Sequence, residues 1–347
     1  MKIALILALI SFLLSFFGAT FPGRTNAMVV QALSQVTGLV PFSLFEWLIY
    51  SLVAYLLWRL GSVSVLLCRK KFRAVLNQLK EILTVAALLY SAFVLLWGLN
   101  YNNPPLHERL GLIREPRPAQ ELAQLGRHLA QRANLSREDV LENADGTFKF
   151  PADYRDVFQR APLGFHLAAE EFYFLGGRFG LPKPILASNL LTHTFITGIY
   201  SPFTGEANVN THVPPATLIF TTMHEIAHQR GIAREDEANF IAFLTSIRHP
   251  DPDFRYAGYL NALNYVRRAL ATTAPPYLEE INSLLSDGVR RDINAGSAFW
   301  NQYRGRAQEV ASRMNDNYLR FNGVREGVLS YGLVVDLLLA YYEAGPR

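Results

Sequence analysis

"FTTMHEIAHQRGIAREDEANFIAFL" spans residues 220–244, and two histidines four apart enclose a glutamate within it. On a helix, positions i and i+4 lie on one face. His224 and His228 can therefore aim two imidazoles at one point. Two neutral ring nitrogens and a carboxylate make a three-ligand zinc (Zn2+) site, with a fourth position open for water. Glu225 would then point at that water and is the expected general base. The apolar run "ATLIF" at 216–220 precedes the motif, so its helix is expected to be packed.

The third ligand follows by elimination. Gly231 is a natural helix stop. An HExxHxxGxxH site would need histidine at 234, but Arg234 stands there and cannot ligate a cation. The choice falls on the acids 235–237. On a helix starting near Arg234, Glu235 shares a face with Ala238, Asn239 and Ala242, small enough to lie close to the histidine helix. Glu237 aligns with the bulkier Ile241 and Leu244. Glu235 is the expected ligand and Glu237 the reserve. Asn239 is placed to hydrogen-bond a ligand histidine and fix its tautomer. Asp236 reads as a first-turn acid favoured by the helix dipole, and Arg234 as an ion-pair partner of the acid cluster.

The apolar residues upstream are unevenly spread. The chain has 347 residues, 50% apolar and only 18% charged, with a net charge of +4. Three apolar segments, about 3–20, 47–68 and 82–99, read as transmembrane helices. The first also resembles the core of a signal peptide after Lys2, although 18 residues suit a retained anchor better. Arg59 lies inside the second and is expected to snorkel to the headgroups or find a partner. Arg69, Lys70, Lys71, Arg73 and Lys80 crowd the gap between the second and third segments, whereas the first gap holds only Arg24. Positive loops stay inside. The expectation is a multi-pass cell-membrane protein with residues 1–100 as anchor and an extracytoplasmic domain over 101–347. No nucleic-acid-binding signature is present. Cys68, the single cysteine, excludes an internal disulfide. The residues specify no oligomeric state.

In the second domain, helical periodicity covers 117–133, with Leu122, Leu125 and Leu129 on one face, and a further helix is expected from Gly164 to about Leu175. "THTFITGIY" and "GEANVNT", joined by "SPFTG", read as a β-hairpin just before the histidine motif. "GVLSYGLVVDLLLAYY" near the C-terminus is 16 residues long and carries Asp336, so it reads as a helix of the globular domain rather than a span. The expected fold is mainly α: transmembrane helices, then a helix-rich α+β zincin-like domain with a small hairpin before the HExxH helix. "GEANVN" as a rim strand would make Tyr200, Glu206 and Asn208 substrate contacts. Tyr331, His193 and His212 are further candidates for stabilising an oxyanion.

The "E-x-x-A-N" spacing from Glu235 to Asn239 resembles the gluzincin arrangement, with a much shorter separation from HExxH than in thermolysin-like enzymes. "WGLNYNNPPL", "GIYSPFTGEANVN", "HEIAHQRGIAREDEANF" and "NGVREGVLSYGLVVDLLL" together resemble an uncharacterised bacterial membrane family, a domain of unknown function. That resemblance implies a multi-pass membrane protein with a zinc-protease-like site. The residues imply a membrane-anchored metallopeptidase acting on a peptide or protein. The alternative is a non-catalytic membrane protein whose structural or sensory zinc site binds an envelope partner.

Overall fold

The computed structural model of the protein describes residues 1–20, 25–115, 117–327, 329 and 333–345. The fold is mainly helical, with 70% of residues in helices and 4% in strands. Four helices open the chain: α1 (Lys2–Phe16), α2 (Thr25–Thr37), α3 (Leu44–Cys68) and α4 (Phe72–Leu96). Among the described residues, α3 and α4 are long and apolar enough to cross a membrane. α1, with 15 residues, falls short of the roughly 20 that a span needs. It packs along α4 nonetheless, and Asn102 donates to the Ser15 and Ala19 carbonyls at its end. The apolar side chains of α3, among them Leu57, Trp58 and Leu60, are exposed. A core helix of a globular domain would bury them. Arg59 does not simply snorkel: it ion-pairs with Glu81 of α4 and donates a hydrogen bond to the Tyr55 hydroxyl.

The sequence placed residues 1–100 in the anchor, but α2 packs on the globular part. Ser34 Oγ accepts from the Gln229 side chain and the Gly180 N–H, and Thr37 donates to the Thr204 carbonyl. The N-terminus of α3 is held there too. Glu206 accepts the N–H groups of Leu44 and Phe45, and Glu46 accepts those of Leu186 and Ala187.

A short 3-10 turn, Gly98–Asn102, leads from α4 into the globular part. There follow α5 (Leu106–Leu110), α6 (Ala119–Glu138), a small hairpin of β1 (Leu141–Glu142) and β2 (Phe148–Lys149), α7 (Tyr154–Arg160) and α8 (Pro162–Ala168). Leu122, Leu125 and Leu129 of α6 are buried as their spacing predicts. The helix expected to reach Leu175 ends at Ala168. The chain then turns so that Phe172 packs on the core and Leu175 is buried.

Next come β3 (Lys183–Pro184), α9 (Ser188–Thr192), β4 (Gly198–Ser201) and β5 (Glu206–Val209). β4 and β5 form the expected antiparallel hairpin, in the register Gly198↔Val209 and Ser201↔Glu206. β3 adds in parallel on the far side of β5, so β5 is central and β4 is an edge.

The rest is helical: α10 (Pro215–Gln229), α11 (Glu235–Arg248), α12 (Pro252–Thr273), α13 (Pro275–Leu284), α14 (Asp287–Asn301), α15 (Arg306–Phe321) and α16 (Val334–Glu343). α10, α11 and α12 pack against one another, and α6, α8 and α16 close round them. Met223, Ile226, Phe240, Phe243 and Tyr256 are fully buried at their centre. α16 is part of this core, and its Asp336 pairs with Arg114.

Candidate metal centre

α10 carries both histidines into the core and ends at once. Gly231, at φ +83°, takes the left-handed conformation that a side chain resists. The Ile232 N–H bonds back to the Ala227 carbonyl and the Gly231 N–H to that of His228, a Schellman close. This turn swings the Ile232 carbonyl onto His228, whose Nδ1 donates to it at 2.6 Å. α11 then starts with Glu235 as its first residue.

α11 touches both nitrogens of His224. The Asn239 Oδ1 accepts from Nδ1 at 2.9 Å, and Glu235 Oε2 lies 3.1 Å from Nε2. The same Oε2 is 3.5 Å from His228 Nε2. Carbonyl oxygens only accept, so each Nδ1 carries a proton and each neutral ring turns a lone pair toward the carboxylate. With both rings neutral three lone pairs converge there, an arrangement that a shared proton or a bound cation relieves. The two histidines hold Glu235 well below the usual carboxylate range although burial opposes it. Burial would lower His228, but the carboxylate outweighs that and raises it.

The donor set suits zinc. Neighbouring ligands of a tetrahedral ion at ~2.0–2.1 Å stand roughly 3.3 Å apart, which brackets with the observed 3.1 and 3.5 Å. Among the described residues, His224, His228 and Glu235 are the group whose ligand atoms converge, all within 4.8 Å of one another. Each histidine has the outer hydrogen bond that a ligand imidazole usually keeps.

The other two acids serve elsewhere. Glu237, the reserve ligand, turns away to accept the Leu106 N–H at 2.7 Å, and burial pushes it up to about 7. Asp236 pairs with Arg114 at 3.0 Å, and Arg234 approaches Glu237.

Glu225 is buried beside the histidines, and its Oε2 has no hydrogen-bond partner. Burial pushes its carboxyl up to about 7, against the pull of both histidines. The Tyr200 backbone N–H reaches it. Pairing explains this. The Asn210 N–H donates to the Thr197 carbonyl, so alternation turns the N–H and C=O of Gly198 and Tyr200 outward from β5. That free edge faces Glu225, and a Cβ on Gly198 would stand 2.3 Å from Glu225 Oε1.

A cavity of about 1680 Å³ opens over the centre. Its walls include β4, the end of α4, and faces of α12, α14 and α15. Tyr200 lines it, though its hydroxyl is buried without a partner. Glu206 and Asn208 do not line it, because β5 is the central strand. Glu206 pairs with Lys183, and Asn208 donates to the Ile199 and Glu206 carbonyls. His193 and His212 pack on Tyr303 instead. Tyr331 lies outside the described residues.

Trp97, Tyr101 and Tyr318 were not singled out by the sequence. The Trp97 ring lies 5.6 Å from that of His228 and 4.9 Å from that of Tyr200. Its Nε1–H donates to the Tyr318 hydroxyl at 3.2 Å, as does the Tyr101 hydroxyl at 3.4 Å. Tyr318 accepts twice, which leaves its own proton uncommitted, and the residue lines the cavity.

The family described as "Protein of unknown function (DUF3810)" matches residues 23–339. The chain belongs to that family. The match takes in α3, α4 and every residue of the metal centre. No curated protein and no solved structure matches the chain.

Proposed function

We propose that the protein is a membrane-anchored zinc metallopeptidase with a zincin-like domain. The observation that carries this is the convergence of His224, His228 and Glu235, with both Nδ1 protons fixed by acceptors and a buried, unpaired Glu225 alongside. A bound zinc ion supplies Lewis-acid polarisation. Glu225, poised near neutrality, takes the proton of the attacking water and passes it to the leaving amine. The Tyr318 hydroxyl, polarised by Trp97 and Tyr101, donates to the developing oxyanion. The outward Gly198 and Tyr200 carbonyls hold an extended peptide by strand addition. Three protein ligands under an open cavity favour catalysis over a structural zinc site, which is normally closed by four.

The basic cluster from Arg69 to Arg73 lies between α3 and α4, at the end away from the globular part. By the positive-inside rule this supports a centre outside the cytoplasm. The α2 contacts agree with this, because they keep the segment between the first two apolar helices on the domain's side.

Metal analysis and activity on a randomised quenched-peptide library test the reading. Wild type should carry about one zinc and cleave, His228→Ala should lose the metal, and Glu225→Gln should keep zinc and lose cleavage. Undiminished cleavage by Glu225→Gln would sink it.

A further inference from the structure

Resting on that peptidase reading, we infer that the substrate is a membrane-tethered polypeptide, cut within a few residues of where it leaves the bilayer. α4 acts as a ruler. From Lys80 to its cap Trp97 it rises 17 residues, about 26 Å at ~1.5 Å each. That is close to the roughly 30 Å hydrocarbon thickness, with Lys80 reaching one headgroup layer and Trp97 seated at the other. α3 runs antiparallel beside it, tied by Arg59–Glu81 and Gln78–Ser62. This brings Phe45 to the same outer level as Phe93 and Trp97, and the exposed Trp47 and Tyr50 begin the lipid-facing surface just below.

These interfacial residues belong to the reaction cavity. Phe45, Phe93 and Trp97 line the space that His224, Glu225 and Glu235 share. The metal centre is therefore one aromatic ring from the bilayer surface. The domain cannot lift away on a flexible linker, because Glu206, Glu46 and Gln229 bind it to α2 and α3. α12 contributes polar side chains to the lining, Asn261, Asn264, Arg267 and Arg268.

α15 supports the same placement. Its Tyr318 end packs on Phe93 and Trp97. Val310 and Phe321 form an exposed apolar strip on it, edged along one side by Arg306, Arg313 and Arg320, while Met314 lines the cavity. An apolar stripe edged by arginines is the pattern of a helix resting on a lipid surface.

The experiment uses the full chain, loaded with zinc, in liposomes. The probes are quenched peptides with one randomised core, anchored by a transmembrane helix through a spacer of either about 5 or about 25 residues, or left free. We expect cleavage of the short-spacer probe at least ~10-fold faster than of the other two, at a fixed distance from the anchor. Tethering alone would favour both anchored probes alike. Equal rates, or a cut position that follows sequence rather than distance, would overturn the inference while leaving the peptidase reading intact. Cleavage of no probe would remove the peptidase reading, and the inference with it. A second measurement reads the placement without activity. With Trp47, Trp58 and Trp300 changed to Phe, Trp97 fluorescence should be quenched most by lipids labelled near the headgroup. No quenching by any labelled lipid would refute the placement.

Discussion

Gly198→Ala should disable the base while sparing the metal. An alanine Cβ would lie 2.3 Å from Glu225 Oε1, 2.6 Å from Cγ and 2.7 Å from Cδ. Carbon–carbon contacts are optimal at about 3.5–4.0 Å, so the side chain must withdraw by around 1 Å. The strand cannot yield instead, because Gly198 is paired with Val209 and the flanking Thr197 carbonyl accepts from Asn210. The Glu225 carboxyl would leave the Tyr200 N–H and rotate off its present position. A displacement of about 1 Å at the reacting groups costs roughly 10²-fold in rate. None of the three ligands is among the nearest atoms that the new methyl would meet. The expected result is kcat/KM down about 100-fold on the peptide library, with zinc content at the wild-type level. Wild-type kcat/KM, with the variant confirmed as folded and zinc-loaded, would refute both the contact and the role given to Glu225.

Asn239→Ala removes the acceptor that orients His224, and zinc affinity should fall about 10–100-fold in a chelator competition; unchanged affinity would deny Asn239 that role. Tyr318→Phe should lower kcat by roughly 10²-fold with little change in KM, and an equal kcat would exclude the hydroxyl from the reaction. His249 should make stability fall with acid. Its Nδ1 accepts the Asp251 N–H and its Nε2 donates to the Arg160 carbonyl, so the neutral ring is satisfied. Burial lowers its folded pKa from the ordinary value near 6.5, although Asp251 and Asp253 pull the other way. Its contribution is full above about pH 6.5 and is lost as pH falls toward the folded value, with a slope of at most ~1.4 kcal/mol per pH unit. Denaturant titrations of wild type and His249→Gln from pH 7 to 5 should differ by that slope, and parallel curves would rule it out. Lys183→Met strands the buried Glu206 carboxylate and should cost about 3–5 kcal/mol in unfolding; a loss under about 1 kcal/mol would show the pair to be dispensable.

The grouping of His224, His228 and Glu235 was legible because its logic is local. His224 and His228 are one turn apart, and Glu235 and Asn239 are one turn apart on the next helix. Gly231 at a left-handed φ joins the two helices so closely that spacing and residue size suffice to pick the acid. Tyr318 was not legible for the opposite reason. It reaches the same cavity from 83 positions beyond Glu235, through a hydrogen bond to Trp97 at the end of α4. No periodicity within α15 marks one tyrosine as facing a distant tryptophan.

The errors around the sheet have one physical source. "GEANVN" alternates like a rim strand, and nothing local announces that Lys183 and Pro184, twenty residues earlier, pair on its other side. That pairing makes β5 central, turns Glu206 inward and hands the free edge to β4. It also explains why the anchor does not stop at a linker near residue 100. A buried Glu206 needs donors, and it finds them in Lys183, in Thr204 and in the first N–H groups of α3. The carboxylate therefore caps α3, where the dipole favours negative charge. It ties β5, the partner of the strand beside Glu225, to α3. A residue that sequence reading assigned to substrate contact instead fixes the sheet beside the candidate centre against the long apolar helix α3.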